Sequence, residues 1–444
     1  MRRTVCGNVP LRKLFDLLLK NWYMALKYMN CHNSTDEDFC MKTRQELMDT
    51  ANLDEANVPP YVLPSPLGKS DGTKVANAFE WVNFQRPRIL ELYRNEIYGK
   101  LPPRPDRMSF ELLSCREGAL GGIAVRKEYR IHFAMNNGRT HFMDMLLYIP
   151  SGAGKPVPAF LGLNFKGNHA TTFERDVRMT GGLAPETDMT EGARGIQSGR
   201  WCFEETVRRG YASATVCYQD LFPDANEYWD RSIYRLFCGD AEPASLNAEC
   251  GAISAWAWGL LRALDCLEHE PLVNAARVAL HGHSRLGKTA LWAGANDARF
   301  RLVISNNSGC AGAALFKHFF GENVEILQTI RPYWFRTSFE QYRANEAALP
   351  LDQHFLLSLI APRPVCVASA TEDIYADPRG EFLSCVHAGE VYRLFGAKGL
   401  GSDVMPPPDT PLTGEISYHL RTGKHDQTPQ DWAHYLDLAD HFLK

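Results

Sequence analysis

No stretch of this chain stays apolar for the ~20 residues that a membrane-spanning helix needs, so nothing in it reads as a span. Positive charge is not in excess either. Lys and Arg number 48 against 52 Asp and Glu, for a formal net charge of −4. A nucleic-acid binder would carry a basic stripe, and this balance gives no support for one. The 12 cysteines are scattered without CxxC pairs. Neither a zinc site nor a small disulfide scaffold is signalled, and most of the thiols are expected to be free and buried. Repeats and low-complexity tracts are missing. A clean export signal is missing too. Lys13, Asp16 and Lys20 interrupt the apolar stretch near the start, and no small-x-small cleavage site follows. An amphipathic lead-in helix is the expectation there.

What remains is ordinary globular material. The chain has 444 residues, 45% hydrophobic and 23% charged, enough for one large α/β domain or two smaller ones. Residues 1 to about 75 read as an extension or wrapping arm, with a polar run from Asn33 to Asp38 and the Pro-rich VPPYVLPSPLG. Residues 76–444 read as a single catalytic domain. Helical spacing runs over 78–99, where Trp81, Ile89, Leu92 and Tyr93 recur, until LPPRP ends it. FELLSC, VRKEYRIHF and HFMDMLLYIP alternate and predict antiparallel edge strands. From residue 158 strands and helices alternate, which predicts a doubly wound, mostly parallel sheet with helices on both faces. In such sheets chemistry gathers just past the C-terminal strand ends.

One such end stands out in RVALHGHSRLGKTALWAGA, residues 277–295. An apolar run leads into Gly282, His283, Ser284, Arg285, Leu286 and Gly287, and helix formers follow. Strand, tight turn and helix are the context of a nucleophile elbow. The helix would aim its first N–H groups at an oxyanion. Against the usual G-x-S-x-G, the second glycine comes one residue late. A Ser in this place can also simply cap a helix.

A Ser nucleophile needs a base and an acid that orients the base, and in an α/β-hydrolase both follow the Ser in the order acid, then His. His425 lies in TGKHDQTPQDW, after the last strand EISYHLR and before the closing helix. Its rivals are His419 within that strand and His434 and His441 on the helix. For the acid, the loop NNSGCAG has no carboxylate and holds Asn306 and Asn307 instead. The loop TEDIYADPRGEF offers Glu372, Asp373 and Asp377. Asp373 sits nearest its strand end and is favoured, whereas Asp377 before Pro378 looks like a helix cap.

These residues carry a resemblance. G-H-S-R-L-G-K resembles the G-[CH]-S-R-x-G-K signature of glucuronoyl esterases, carbohydrate esterase family fifteen. LNFKGNHATT, SNNSGCAGAAL, DQHFLLSLIAPRP, TEDIYADPRGEF and GKHDQTPQDW resemble its bacterial branch. The late glycine is that family's own form of the elbow. The resemblance implies an α/β-hydrolase, a three-layer sandwich. It also implies a serine esterase that cleaves the ester between 4-O-methyl-glucuronic acid of xylan and lignin alcohols. Its implied roles are Ser284 as nucleophile, His425 as base and Arg285 as oxyanion donor. Lys288, Glu322 and Tyr375 would contact the sugar. Two positions depart from the pattern. Asn307 stands where the fungal branch carries the acid that orients the His, so Asp373 would take that part. Tyr375 stands where many bacterial members carry Trp.

The expected mechanism needs no metal and no cofactor. The expected partner is a glucuronoxylan or lignin–carbohydrate ester, with no nucleic acid and no membrane, and the chain is expected to act as a monomer. Family habit implies secretion or a periplasmic location, although the chain shows no clear signal peptide. Two alternatives stand beside this reading. One is a broader carbohydrate or acetyl xylan esterase. The other is a catalytically silent glycan-binding hydrolase fold. Trp201, Tyr228, Trp229, Tyr333 and Trp334 are read mainly as core, with one or two left for a glycan platform. Lys166 and His169 are read as parts of a structural loop.

Overall fold

The computed structural model describes residues 46–444. The lead-in helix expected at the chain's start lies outside them. Ala51–Lys444 form one compact unit.

Nine strands make one sheet, in the order β1-β2-β3-β5-β4-β6-β7-β8-β9. β1 (Arg107–Ala119), β2 (Ala124–Ala134) and β3 (Thr140–Pro150) pair antiparallel, as their alternation predicts, and β3 meets β5 antiparallel. β5 (Ala212–Cys217), β4 (Val157–Asn164), β6 (Val273–His283), β7 (Phe300–Asn306), β8 (Val365–Ala370) and β9 (Ile416–Arg421) pair parallel. With the helices that flank the sheet, this is the α/β-hydrolase fold.

The continuous apolar runs follow from burial on both faces. Phe160, Ala279, Leu302 and Ile304 point to one face, where Trp432, Tyr435 and Leu436 of the closing helix cover them. Ala159, Leu161, Val278, Leu280 and Val303 point to the other face, in the larger core with helices Ala252–Leu267 and Arg285–Asn296. The first of these helices is apolar on every side, and 15 of its 16 residues are buried. A third cluster joins Leu146 and Tyr148 of β3 to Trp201, Phe203 and Val207.

The helix expected over 78–99 is present with one irregularity. Ala78–Glu80 opens it, Trp81–Gln85 is a π-turn, and Arg86–Glu96 is regular α-helix. Pro87 has no N–H to return to the preceding turn, and a widened turn at that point accommodates the missing donor.

Segment 51–75 is bound along its length to the rest of the unit. Asn52 Nδ2 donates to Phe319 O, and Gly321 N donates to Asn52 O. His354 Nε2 lies 2.9 Å from Pro64 O, and Ser65 Oγ donates to Glu390. Nine described cysteines are free thiols, seven of them buried. No helix among the described residues is long and apolar enough to cross a membrane.

Candidate active site

β6 ends at His283 and the helix Arg285–Asn296 begins one residue later. Ser284 makes that whole turn alone, at φ 58° and ψ −129°. Strain of this kind costs about 1–3 kcal/mol and persists only where its surroundings enforce it. Here Ser284 N donates to Asn306 O at 2.8 Å, and Ser284 O accepts from Gly287 N. The glycines permit the close approach. A Cβ on Gly282 would run into the Leu286 carbonyl, and one on Gly287 would lie 3.1 Å from the Asn306 and Gly282 oxygens.

The two cations beside Ser284 sit at a helix N-terminus, where the backbone dipole disfavours positive charge. Each has a partner that offsets this. Arg285 Nη1 is paired with Asp224 Oδ2, and its guanidinium lies 4.9 Å over the Trp334 ring. Burial pulls its pKa down, yet the Asp224 carboxylate more than offsets that and leaves it raised. Arg285 Nε is buried without an acceptor among the described residues. Lys288 is buried, and its Nζ donates to Ser308 O and Cys310 O at 2.6 Å each, with Glu322 Oε2 at 3.5 Å. Glu322 N in turn donates to Tyr375 O. The three expected sugar contacts thus form one connected group.

His425 lies in the loop between β9 and the closing helix Pro429–Leu443. Its Nδ1 is 2.6 Å from Asp373 Oδ2 in the loop after β8. A carboxylate in that place selects the Nδ1–H tautomer and leaves Nε2 free to act as base. The two loops are stitched together, because Glu372 N donates to Gly423 O and Gly423 N donates to Thr371 Oγ1. The His425 ring also packs 4.6 Å from that of His283, next to Ser284. Burial, and then the nearby His425, hold the His283 pKa well below its ordinary value. His283 therefore stays neutral beside His425, with Nδ1 2.5 Å from Asn306 Oδ1.

Of the alternative residues, His419 is buried against Asp431 in β9, and Asp377 caps the next helix by accepting from Gly380 N. Trp201, Trp229, Tyr333 and Trp334 are core residues. His169 is buried with Nε2 3.0 Å from Asp188 O, a structural loop as expected.

Two residues, Asp224 and Glu381, escaped the sequence reading, and Asn307 was visible there only as a missing acid. Asn307 donates from Nδ2 to the same Asp373 oxygen that His425 engages, at 2.7 Å. It fixes the carboxylate instead of replacing it. Asp224 accepts from Tyr218 Oη, Tyr333 Oη and Trp334 Nε1 besides Arg285. Glu381 is fully buried, and its Oε1 accepts from Ser308 N and Gly309 N at 2.9 Å each while Oε2 accepts from Ser369 Oγ. It pins the loop that carries Asn307. No local pattern marks Asp224 or Glu381.

Comparison with known proteins agrees with this geometry. A family model described as "Glucuronyl esterase, fungi" matches residues 233–396. A carbohydrate esterase from an unidentified prokaryote is 42% identical over 88% of this chain and 92% of its own. The chain belongs to the glucuronoyl esterase family. A solved glucuronoyl esterase from Solibacter usitatus is 41% identical, with a TM-score of 0.82 over 88% of this chain and all of that one. A 4-O-methyl-glucuronoyl methylesterase from Phanerochaete carnosa is 28% identical over 77% of this chain and 74% of its own. Membership makes the chain a carboxylic ester hydrolase.

Proposed function

We propose that the chain hydrolyses esters of glucuronic or 4-O-methyl-glucuronic acid, as found between xylan side groups and lignin alcohols, with Ser284, His425 and Asp373 as its triad. The observation that carries this reading is the Asp373–His425 pair at 2.6 Å, set beside the Ser284 turn. His425 Nε2 takes the Ser284 Oγ proton as Oγ attacks the ester carbonyl. The tetrahedral oxyanion is met by the Arg285 backbone N–H and guanidinium. His425 then gives its proton to the departing alcohol oxygen. Water repeats the sequence on the acyl-enzyme and releases the uronate. Each preorganised donor aimed at an oxyanion contributes about 3–4 kcal/mol. Lys288, Glu322 and Tyr375 hold the sugar ring so that its carboxyl carbon faces Ser284.

A second reading, broader ester specificity, draws support from a solved relative described as a promiscuous CE15 esterase from a marine bacterial metagenome. It is 42% identical, with a TM-score of 0.81. The test of both is hydrolysis of benzyl glucuronate against 4-nitrophenyl acetate by wild type, Ser284→Ala and Asp373→Ala. Preference for the glucuronate ester, lost in both variants, is expected. Loss in Ser284→Ala alone would remove Asp373 from the triad. A preference for the acetate would favour the broader esterase. Inactivity of wild type on both esters would favour a binding protein.

A further inference from the structure

A cavity of about 700 Å³ is lined by residues of β2 and β3 together with the segment 178–183, Met189 and Asp220. Its floor is built from cross-strand rungs. Arg130 opposes Asp144, and the two form a forked pair, Nε to Oδ1 at 2.7 Å and Nη2 to Oδ2 at 2.8 Å. Phe142 is two residues along on the same face, and the Arg130 guanidinium lies 4.0 Å from its ring centre. That contact fixes a ring that is still 47% exposed. Arg178 and the exposed Met189 form part of the opposite wall.

Asp220 closes the cavity from below. It is 9% exposed, and its Oδ1 accepts from Gly181 N at 2.9 Å. Among the described residues its Oδ2 receives no hydrogen bond. That oxygen keeps solvent access in the cavity and is open to a hydroxyl from a ligand. Burial pushes the Asp220 pKa up to about 7, with Asp144 adding to the rise. Near neutrality the group can therefore either donate to or accept from a hydroxyl.

The chemistry of the walls selects the ligand class. Arg130 and Arg178 stand against Asp144 and Asp220 in the lining, so it holds no excess charge that would select an ion. A metal ion would have to displace Arg130 from Asp144. An aromatic ring beside buried groups that both donate and accept suits a neutral sugar, which has an apolar face and a rim of hydroxyls.

The cavity also lies on the catalytic edge of the sheet. Asp220 follows the C-terminal end of β5 by three residues, and β3 starts at that same edge because it runs antiparallel to β5. From β6 the order passes through β4 and β5 to β3, three strand spacings or roughly 14 Å. The stretch from Asp220 leads directly to Asp224, the partner of Arg285. We propose that this cavity is a remote subsite that holds a neutral sugar of the glycan chain bearing the uronate, with Phe142 as stacking platform and Asp220 as hydroxyl partner. This rests on the glucuronoyl esterase reading above.

The test compares two esters in wild type, Phe142→Ala and Asp220→Asn. One is benzyl glucuronate, a single sugar. The other is the benzyl ester of a glucuronoyl xylo-oligosaccharide. The expected result is a 5- to 20-fold loss of kcat/KM on the oligosaccharide ester, carried by KM, with benzyl glucuronate within two-fold of wild type. Titration of Ser284→Ala with xylotetraose should give binding that the added Phe142→Ala change removes. Equal behaviour on both esters in every variant, or equal losses on both, would overturn the subsite. If wild type cleaves neither ester, the functional reading fails, and the xylotetraose titration still decides the cavity: saturable binding sensitive to Phe142 upholds a sugar site, and its absence refutes one.

Discussion

Asp224→Asn removes one charge and little volume, so its effect reads out what that charge does for Arg285. In the native site Asp224 Oδ1 accepts from Trp334 Nε1 at 2.7 Å and Tyr333 Oη at 3.0 Å, while Oδ2 faces Arg285 and Tyr218. An Asn that keeps its oxygen toward Trp334 must turn its NH2 toward the guanidinium, donor against donor. Breaking a buried ion pair costs about 3–5 kcal/mol. The Arg285 side chain is 26% exposed, so water recovers part of that and about 2–3 kcal/mol is expected here. Some of the loss should appear as a melting temperature lower by a few degrees. The rest should appear in kcat, because a guanidinium that swings from its place no longer meets the oxyanion, and loss of one such donor costs about 10²–10³-fold. The assay is steady-state hydrolysis of benzyl glucuronate with kcat and KM separated, beside thermal denaturation. KM should move little. If kcat stays within two-fold of wild type while Arg285→Ala loses a hundred-fold, Arg285 is positioned without Asp224 and the reasoning is refuted.

Asn307→Ala should lower kcat about ten-fold at unchanged KM, since His425 keeps its partner but the Asp373 carboxylate loses the donor that holds it; single-turnover rates would check this. Glu381→Ala leaves the Ser308 and Gly309 N–H groups buried without acceptors, at about 1–3 kcal/mol each, so denaturant midpoints should fall sharply. Glu381→Gln, which keeps an acceptor oxygen, should recover most of the loss. His318 lies between Asp377, at 2.7 Å, and Glu55, at 3.4 Å. Burial lowers its pKa, but the two carboxylates prevail and raise it above the ordinary 6.5. A raised folded-state value means stabilisation that is complete below about 6.5 and is lost as pH climbs through the folded value. The melting temperature should therefore decline as pH rises above about 6.5, and His318→Gln should flatten that part of the profile.

How far the chain could be read beforehand depended on the range of each interaction. β4, β6 and β8 were legible because burial on both faces leaves an unbroken apolar run. Ser284 was legible because an elbow is local, and His425 and Asp373 because chain order follows sheet order. Asp224 and Glu381 were not. Asp224 meets Arg285 across 61 positions, and Glu381 meets Gly309 across 72. An isolated acid, whether in a loop like Asp224 or in a helix's first turn like Glu381, carries no mark of its distant partner. Asn307 was visible but reads in sequence as a missing acid. Only the three-dimensional arrangement makes it the support of another. The widened turn before Pro87 was also beyond a periodicity count, which treats a helix as uniform.

The bond between Asn52 and Phe319 spans 267 positions. During synthesis the arm leaves the ribosome long before the loop that it will hold, and His425 emerges later still. A nascent chain can thus form the Ser284 turn before the residue proposed as its base is made and before the arm has its partner loop. A chain stopped between the helix Arg285–Asn296 and β9 would display the Ser284 turn without the residue proposed to activate it.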